Sequence, residues 1–244
     1  MKLYTTLILI VLFACTEQEF PDASLTVEAY LFEGKPVDQV KLSLVKPLNT
    51  NETQQPVSNA LVYIIWNGTY YRLNESISNP GTFASQDENL KIISDNTYQL
   101  YIRYNNEEYH AQTTVPFQPV NLTANKDTLD FSIDTDLIKM QWDNHESTWF
   151  LGVISPEKNK ITEFPFNNFF SLPTKKNILE ININTVQENG AQQFILYSIT
   201  EDYEKLFRIS SSSIGSSNAG NISKGFGIFS AFSSDTLNFV VLNK

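Results

Sequence analysis

From Leu25 onward, apolar residues recur at every second position in short runs, and each run ends in residues that turn a chain. Leu25, Val27, Ala29 and Leu31 alternate with Thr26, Glu28 and Tyr30. Val40, Leu42 and Leu44 alternate with Gln39, Lys41 and Ser43, and Tyr98, Leu100, Ile102 and Tyr104 with Gln99 and Arg103. Tyr109, Ala111, Thr113 and Val115 continue the period. A period of two places alternate side chains on opposite faces of a strand, so each run can bury one face. Leu61 to Trp66 is instead continuously apolar, which predicts a strand buried on both faces. Glu33-Gly34-Lys35-Pro36 and Asn79-Pro80-Gly81 are turn sequences. Asn67-Gly68 and Asn105-Asn106 predict hairpin tips, because Asn and Gly tolerate the positive φ that tight hairpins need. Short strands at this spacing predict a β-sandwich.

The pattern pauses at Val115-Pro116-Phe117-Gln118-Pro119, where two prolines lack the N–H that strand pairing needs. The polar stretch that follows reads as a linker, and strands resume at Leu137. Ile138, Met140 and Trp142 alternate with Lys139 and Gln141, and Trp149 to Ile154 follows. This arrangement resembles the early strands of a fibronectin type III sandwich. Ile181, Ile183 and Thr185, Phe194 to Ile199, Phe226 to Phe232, and Leu237 to Leu242 complete the expected strands. One helix is predicted near residues 201–208: Thr200 can cap it, Glu201 and Asp202 suit its start, and Lys205 and Arg208 its end. Tyr203, Leu206 and Phe207 give it one apolar face. The expected division is a leader over 1–14, a tether over 15–24, a first sandwich over 25–119, a linker over 120–136 and a second sandwich over 137–244. A chain of 244 residues is long enough for two such bodies.

The leader reads Met1-Lys2, then an apolar run from Leu3 to Ala14, then Cys15, the single cysteine. The run falls short of the about 20 apolar residues a spanning helix needs, so it targets the chain rather than crossing the bilayer. Leu12-Phe13-Ala14-Cys15 resembles the bacterial lipobox, whose cysteine takes a diacylglyceryl group and commonly an N-acyl chain such as palmitate. Two or more acyl chains anchor stably. With Cys15 lipidated, no thiol remains for a disulfide, a thiolate metal site or a cysteine nucleophile. The formal net charge of -10 argues against nucleic acid, which selects clustered Lys and Arg.

Further segments carry a family resemblance. Pro56-Val57-Ser58-Asn59-Ala60-Leu61-Val62 is a turn-to-strand step, and Pro80-Gly81-Thr82-Phe83 a turn. Tyr98-Gln99-Leu100 and Tyr109-His110-Ala111 precede Val115-Pro116, and Asn221-Ile222-Ser223-Lys224-Gly225-Phe226-Gly227-Ile228-Phe229 closes the pattern. In this order the segments resemble the DUF4249 lipoproteins of Bacteroidota. The first module also resembles transthyretin-like and carboxypeptidase-regulatory sandwiches. The resemblance implies an all-β outer-membrane lipoprotein, held by its lipid on the periplasmic or cell-surface face. It implies a TonB-dependent receptor as partner, and no enzymatic activity, catalytic residues or cofactor. Thr16-Glu17-Gln18-Glu19 resembles the surface-export signal of such lipoproteins, and reads equally as a solvated tether. The ligand is not named by the sequence. A structural or adhesive surface module is the alternative, and a hydrolase without a recognisable motif a more distant one.

Several clusters hold side chains capable of chemistry. Asp143, His145 and Glu146 lack metal-ligand spacing, and His110 falls at a surface or edge position of a strand. Asp127, Asp130, Asp134 and Asp136 lack the glycine and closing glutamate of a calcium loop, so they read as a solvated linker. Gly225 and Gly227 lie in a strand pattern and suit a bulge or close backbone approach rather than phosphate. Phe164, Phe166, Phe169 and Phe170 crowd a segment broken by Pro165. Exposed, they would form a partner contact; the favoured expectation is that they plug the space between the sandwiches.

Overall fold

The computed structural model describes residues 24–45, 54–133, 137–143, 148–156, 171–181, 186, 188–210 and 220–244. Cys15, Asp134, Asp136, His145, Glu146 and the phenylalanines 164, 166, 169 and 170 lie outside the described residues. The fold is all-β with one short helix, as expected. The strands in chain order are β1 (Leu25–Phe32), β2 (Val40–Leu44), β3 (Leu61–Trp66), β4 (Thr69–Glu75), β5 (Thr82–Ala84), β6 (Thr97–Tyr104) and β7 (Glu107–Thr114). Then follow β8 (Val120–Ala124), β9 (Thr128–Asp130), β10 (Ile138–Asp143), β11 (Trp149–Pro156), β12 (Ile178–Ile181), β13 (Gly190–Ile199), α1 (Glu201–Ser210) and β14 (Phe226–Leu242).

Among the described residues the hydrogen-bonded path runs β11-β13-β14-β1-β2-β5-β4-β3-β6-β7, and β12-β10-β8 form a separate small sheet. The path folds over itself, so β1, β2, β5 and the start of β14 face β4, β3, β6 and β7 across a first core of Leu25, Val27, Val62, Ile64, Phe83 and Tyr98 among others. The hairpin tips fall where the sequence places them, with Asn67 and Gly68 at φ 49° and 77°, and Asn105 and Asn106 at 50° and 63°.

Two turn segments of the family resemblance meet at one carboxylate. Glu75 Oε1 accepts from the Ser58 hydroxyl at 2.6 Å and the Gly81 amide at 2.9 Å, and its Oε2 from the Asn59 amide at 3.1 Å. The Gly81 bond first, then that from Ser58, holds the Glu75 carboxyl below its ordinary range. Gly81 has φ +75°, and a Cβ there would meet the Leu42 carbonyl oxygen at 2.7 Å and Pro56 Cβ at 2.8 Å. A side chain cannot occupy that corner without moving the turn.

The last strand is the spine of the molecule. The sequence predicts two strands over 226–232 and 237–242; the structure has one strand of 17 residues. Its first half runs parallel to β1, from Thr26↔Phe226 to Phe32↔Phe232, and its second half is antiparallel to β13. Phe229 and Ala231 enter the first core. Ile228 and Phe232 enter a second, where Tyr30 and Tyr197 pack with Tyr203 of α1. Phe239 and Val241 enter a third, against Met140, Trp142 and Ile181 of the small sheet. Gly227, at φ +97°, makes the parallel pairing feasible: a Cβ there would lie 1.9 Å from the Val27 carbonyl oxygen. This is the close backbone approach expected of the Gly225–Gly227 stretch.

Two further details depart from the expectations. Residues 120–136, read as a linker, contain β8 and β9, because Val120, Leu122 and Ala124 alternate and Leu129 is buried in the third core. The run Leu61–Trp66 is buried on one face only: Val62 and Ile64 are covered, while Leu61, Tyr63 and Ile65 are half-buried. A continuous apolar run does not by itself say how many layers cover it. Strand β12 ends at Ile181, and residues 182–185, where the expected strand continued, lie outside the described residues.

Candidate functional site

The helix forms where its signals predict. The Thr200 hydroxyl accepts from the Tyr203 amide at 3.2 Å, the N-cap bond, and shares a 2.6 Å hydrogen bond with the Ser230 hydroxyl on β14. Glu201 and Lys205 pair at 3.0 Å one turn apart, and this bond lowers the Glu201 carboxyl. Glu204, its side chain buried, pairs with Arg208. Tyr203 is buried and Leu206 and Phe207 pack beside it on the second core.

The start of this helix borders a groove of about 560 Å³. One wall comes from the end of β7 and the chain beyond it, with Gln112, Thr114, Pro116 and Phe117; the other comes from Thr148, Thr200, Glu201 and Asp202. Asp95 also lines it. The first wall is fixed by a knot of local bonds. Asp95, at φ 59°, donates its amide to Val115 O at 2.9 Å, and the Val115 amide returns a 3.0 Å bond to Asn96 O. Asn96 Oδ1 accepts from the Trp66 indole at 3.1 Å, and the Ser94 hydroxyl donates to Pro116 O at 3.0 Å. The walls are tied by Asn221. Its amide nitrogen reaches Phe229 O at 2.8 Å, Asp202 Oδ2 at 3.1 Å and Gln112 O at 3.2 Å, and its Oδ1 accepts from the Phe229 amide at 2.9 Å. One side chain therefore links β7, α1 and β14.

Chemically the groove offers hydroxyls, an amide, three carboxylates, a proline and an aromatic ring. These groups bind by hydrogen bonds and shape. Of the lining, the sequence drew attention to Thr200, Glu201, Asp202, Pro116 and Phe117 as a helix cap and a module end, not as one site. Asp95 and Thr148 carried no signal, since nothing local shows that distant loops converge.

The other residues weighed for chemistry are placed apart. His110 is exposed on β7, its ring 5.2 Å from that of Tyr101 and its Nε2 3.8 Å from Glu108 Oε2. Asp130 Oδ1 accepts from the Ser132 amide and hydroxyl at 2.9 and 2.7 Å and from Asn243 at 2.9 Å. These bonds, that of Asn243 foremost, hold its carboxyl low. Asp127 Oδ1 accepts from Thr128, and Asp143 Oδ2 from Asn121. Among the described residues no three His, Cys, Asp or Glu side chains gather as metal ligands, and no helix is long and apolar enough to cross a membrane.

The sheet path and the small second sheet define a β-sandwich protein with several cores strung on one long strand. The chain belongs to the DUF4249 family, a domain of unknown function whose model matches residues 13–238. No curated protein matches it. Among solved structures it is similar to the FN1–FN3 domains of chicken CNTN1, at 9% identity and a TM-score of 0.32, over 91% of this chain and 67% of that one. It is also similar to the chicken interferon gamma receptor alpha chain, at 10% identity and a TM-score of 0.28, over 90% of this chain and 98% of that one.

Proposed function

We propose that this chain is a non-enzymatic lipoprotein of the bacterial outer membrane, anchored through Cys15, that binds a ligand on behalf of a TonB-dependent transporter. The observation that carries the binding role is the groove between β7 and the start of α1. It is walled by hydrogen-bonded loops, and its lining sets hydrogen-bonding groups of the kind that orient a bound molecule beside Val115, Pro116, Phe117 and Ile199. The anchor is supported by the leader and the cysteine that follows it, and the acidic tether behind Cys15 suits presentation at the cell surface.

Two measurements test this reading. Cys15→Ser abolishes sedimentation with envelope fractions, and unchanged sedimentation overturns the anchor. Crosslinking in intact cells followed by purification recovers a large outer-membrane barrel with the wild-type chain. Recovery of the chain without a barrel favours the structural or adhesive reading instead.

A further inference from the structure

We propose that the outward face of β4, β3, β6 and β7 is a binding platform for an acidic polysaccharide, a chain of sugar rings bearing carboxylates. This platform meets the groove only at Gln112 and does not depend on the lipid anchor or the transporter. The inward residues of these strands fill the first core, and the outward ones form an ordered row. Tyr63 stands opposite Arg72 on one side and Tyr101 on the other, and Tyr101 stands opposite His110. With strands about 4.8 Å apart, the row crosses roughly 14 Å of flat sheet. The rings of Tyr63 and Tyr101 are 6.2 Å apart, and Tyr70, 63% exposed, lies 6.1 Å from Tyr63. Gln99 and Gln112, both exposed, pair in the neighbouring row.

The charges on this face select the ligand. Its carboxylate, Glu108, is engaged: Oε1 accepts from the Tyr101 hydroxyl at 2.7 Å and Oε2 faces His110. The chain has three arginines. Arg208 is paired with Glu204, whereas Arg72 and Arg103 are exposed on this face, with no ion pair among the described residues. Two guanidinium groups, that of Arg103 opposite Glu108, thus stand among the exposed Tyr70 and the half-buried Tyr63 and Tyr101 on a protein whose net charge is -10. A guanidinium fork matches a carboxylate with two parallel hydrogen bonds. The aromatic faces, electron-rich, suit the C–H faces of sugar rings, and the amides and phenol suit their hydroxyls. A protein partner would need a dry apolar centre within about 800 Å² on each side. Here the aliphatic residues Leu61 and Ile65 are half-buried, and polar groups surround the rings.

The test is isothermal titration calorimetry of the full chain in detergent. The probes are fragments of polygalacturonate and of alginate, cellotetraose as a neutral chain, and hexaglutamate. An acidic fragment binds, cellotetraose binds at least about tenfold more weakly, and R72Q with R103Q together weakens the acidic fragment by at least about tenfold. Both arginines are exposed, so these variants keep the fold; Tyr101→Ala gives a second, aromatic readout with the same expected direction. Failure of both acidic fragments to bind, equal binding of cellotetraose, or binding that survives R72Q with R103Q overturns the proposal. Binding of hexaglutamate in their place overturns it in favour of an acidic protein partner.

Discussion

At the scale of single residues, two positions bear more than their size suggests. Gly227 lets β14 lie against β1, and Gly227→Ala sets a methyl on the Val27 carbonyl at a residue with positive φ. We expect a loss of about 3 kcal/mol or more, read as a lower midpoint in urea unfolding. Glu75 locks the turns at 56–60 and 79–81 through its ionised form. Its folded pKa lies below the ordinary 4.5, so its stabilisation is complete above that value and fades as the pH falls through the folded pKa. Glu75→Gln therefore costs about 1–2 kcal/mol at pH 7 and progressively less below pH 4.5. Urea midpoints of wild type and variant converging in acid check this; parallel curves at every pH contradict it. Buried Ser198 and Ser233 face each other in the β13–β14 register, with no hydrogen-bond partner among the described residues. Ser198→Ala is expected to raise stability by about 1 kcal/mol in the same assay.

At the scale of elements, α1 and the layer beneath it make a unit that can be probed separately. Thr200→Ala removes the cap bond and the link to Ser230, and costs about 1 kcal/mol, read by urea unfolding. Under the helix, burial pushes the Tyr197 phenol up to about 12 and those of Tyr30 and Tyr203 higher still. A raised phenol pKa means stability that is intact below pH 10 and is lost as the pH climbs toward the folded values. Absorbance titration is expected to show these tyrosines ionising only with alkaline unfolding. Local order of this kind is legible in sequence. Thr200 to Arg208 spells out its own cap, dipole and apolar face, and Asn67-Gly68 and Asn105-Asn106 spell out their turns. What the sequence does not reveal depends on distant partners. The parallel pairing of β1 with β14 joins residues 200 positions apart. Nothing in Leu61–Trp66 says that its outer face meets no second layer. Asp95 and Thr148 enter the groove wall only because β6, β11 and α1 begin near one another.

At the scale of the whole molecule, the bodies are not independent beads. Phe229 sits on the last strand yet is fully buried in the first core beside residues of β1, β3 and β6. Phe229→Ala is expected to cost about 3–5 kcal/mol and to raise hydrogen exchange in β3 and β6, far away in sequence. Exchange confined to β13 and β14 would contradict that coupling. The same wiring sets the timetable of maturation. A polypeptide is synthesised amino end first, yet β1 cannot gain its parallel neighbour until the closing segment has followed. Through that interval its open edge is a template for the wrong partner, including a sister molecule. Folding of this protein thus calls for something that shields an early strand until the tail arrives, and a product cut short before residue 226 leaves that edge open to proteases.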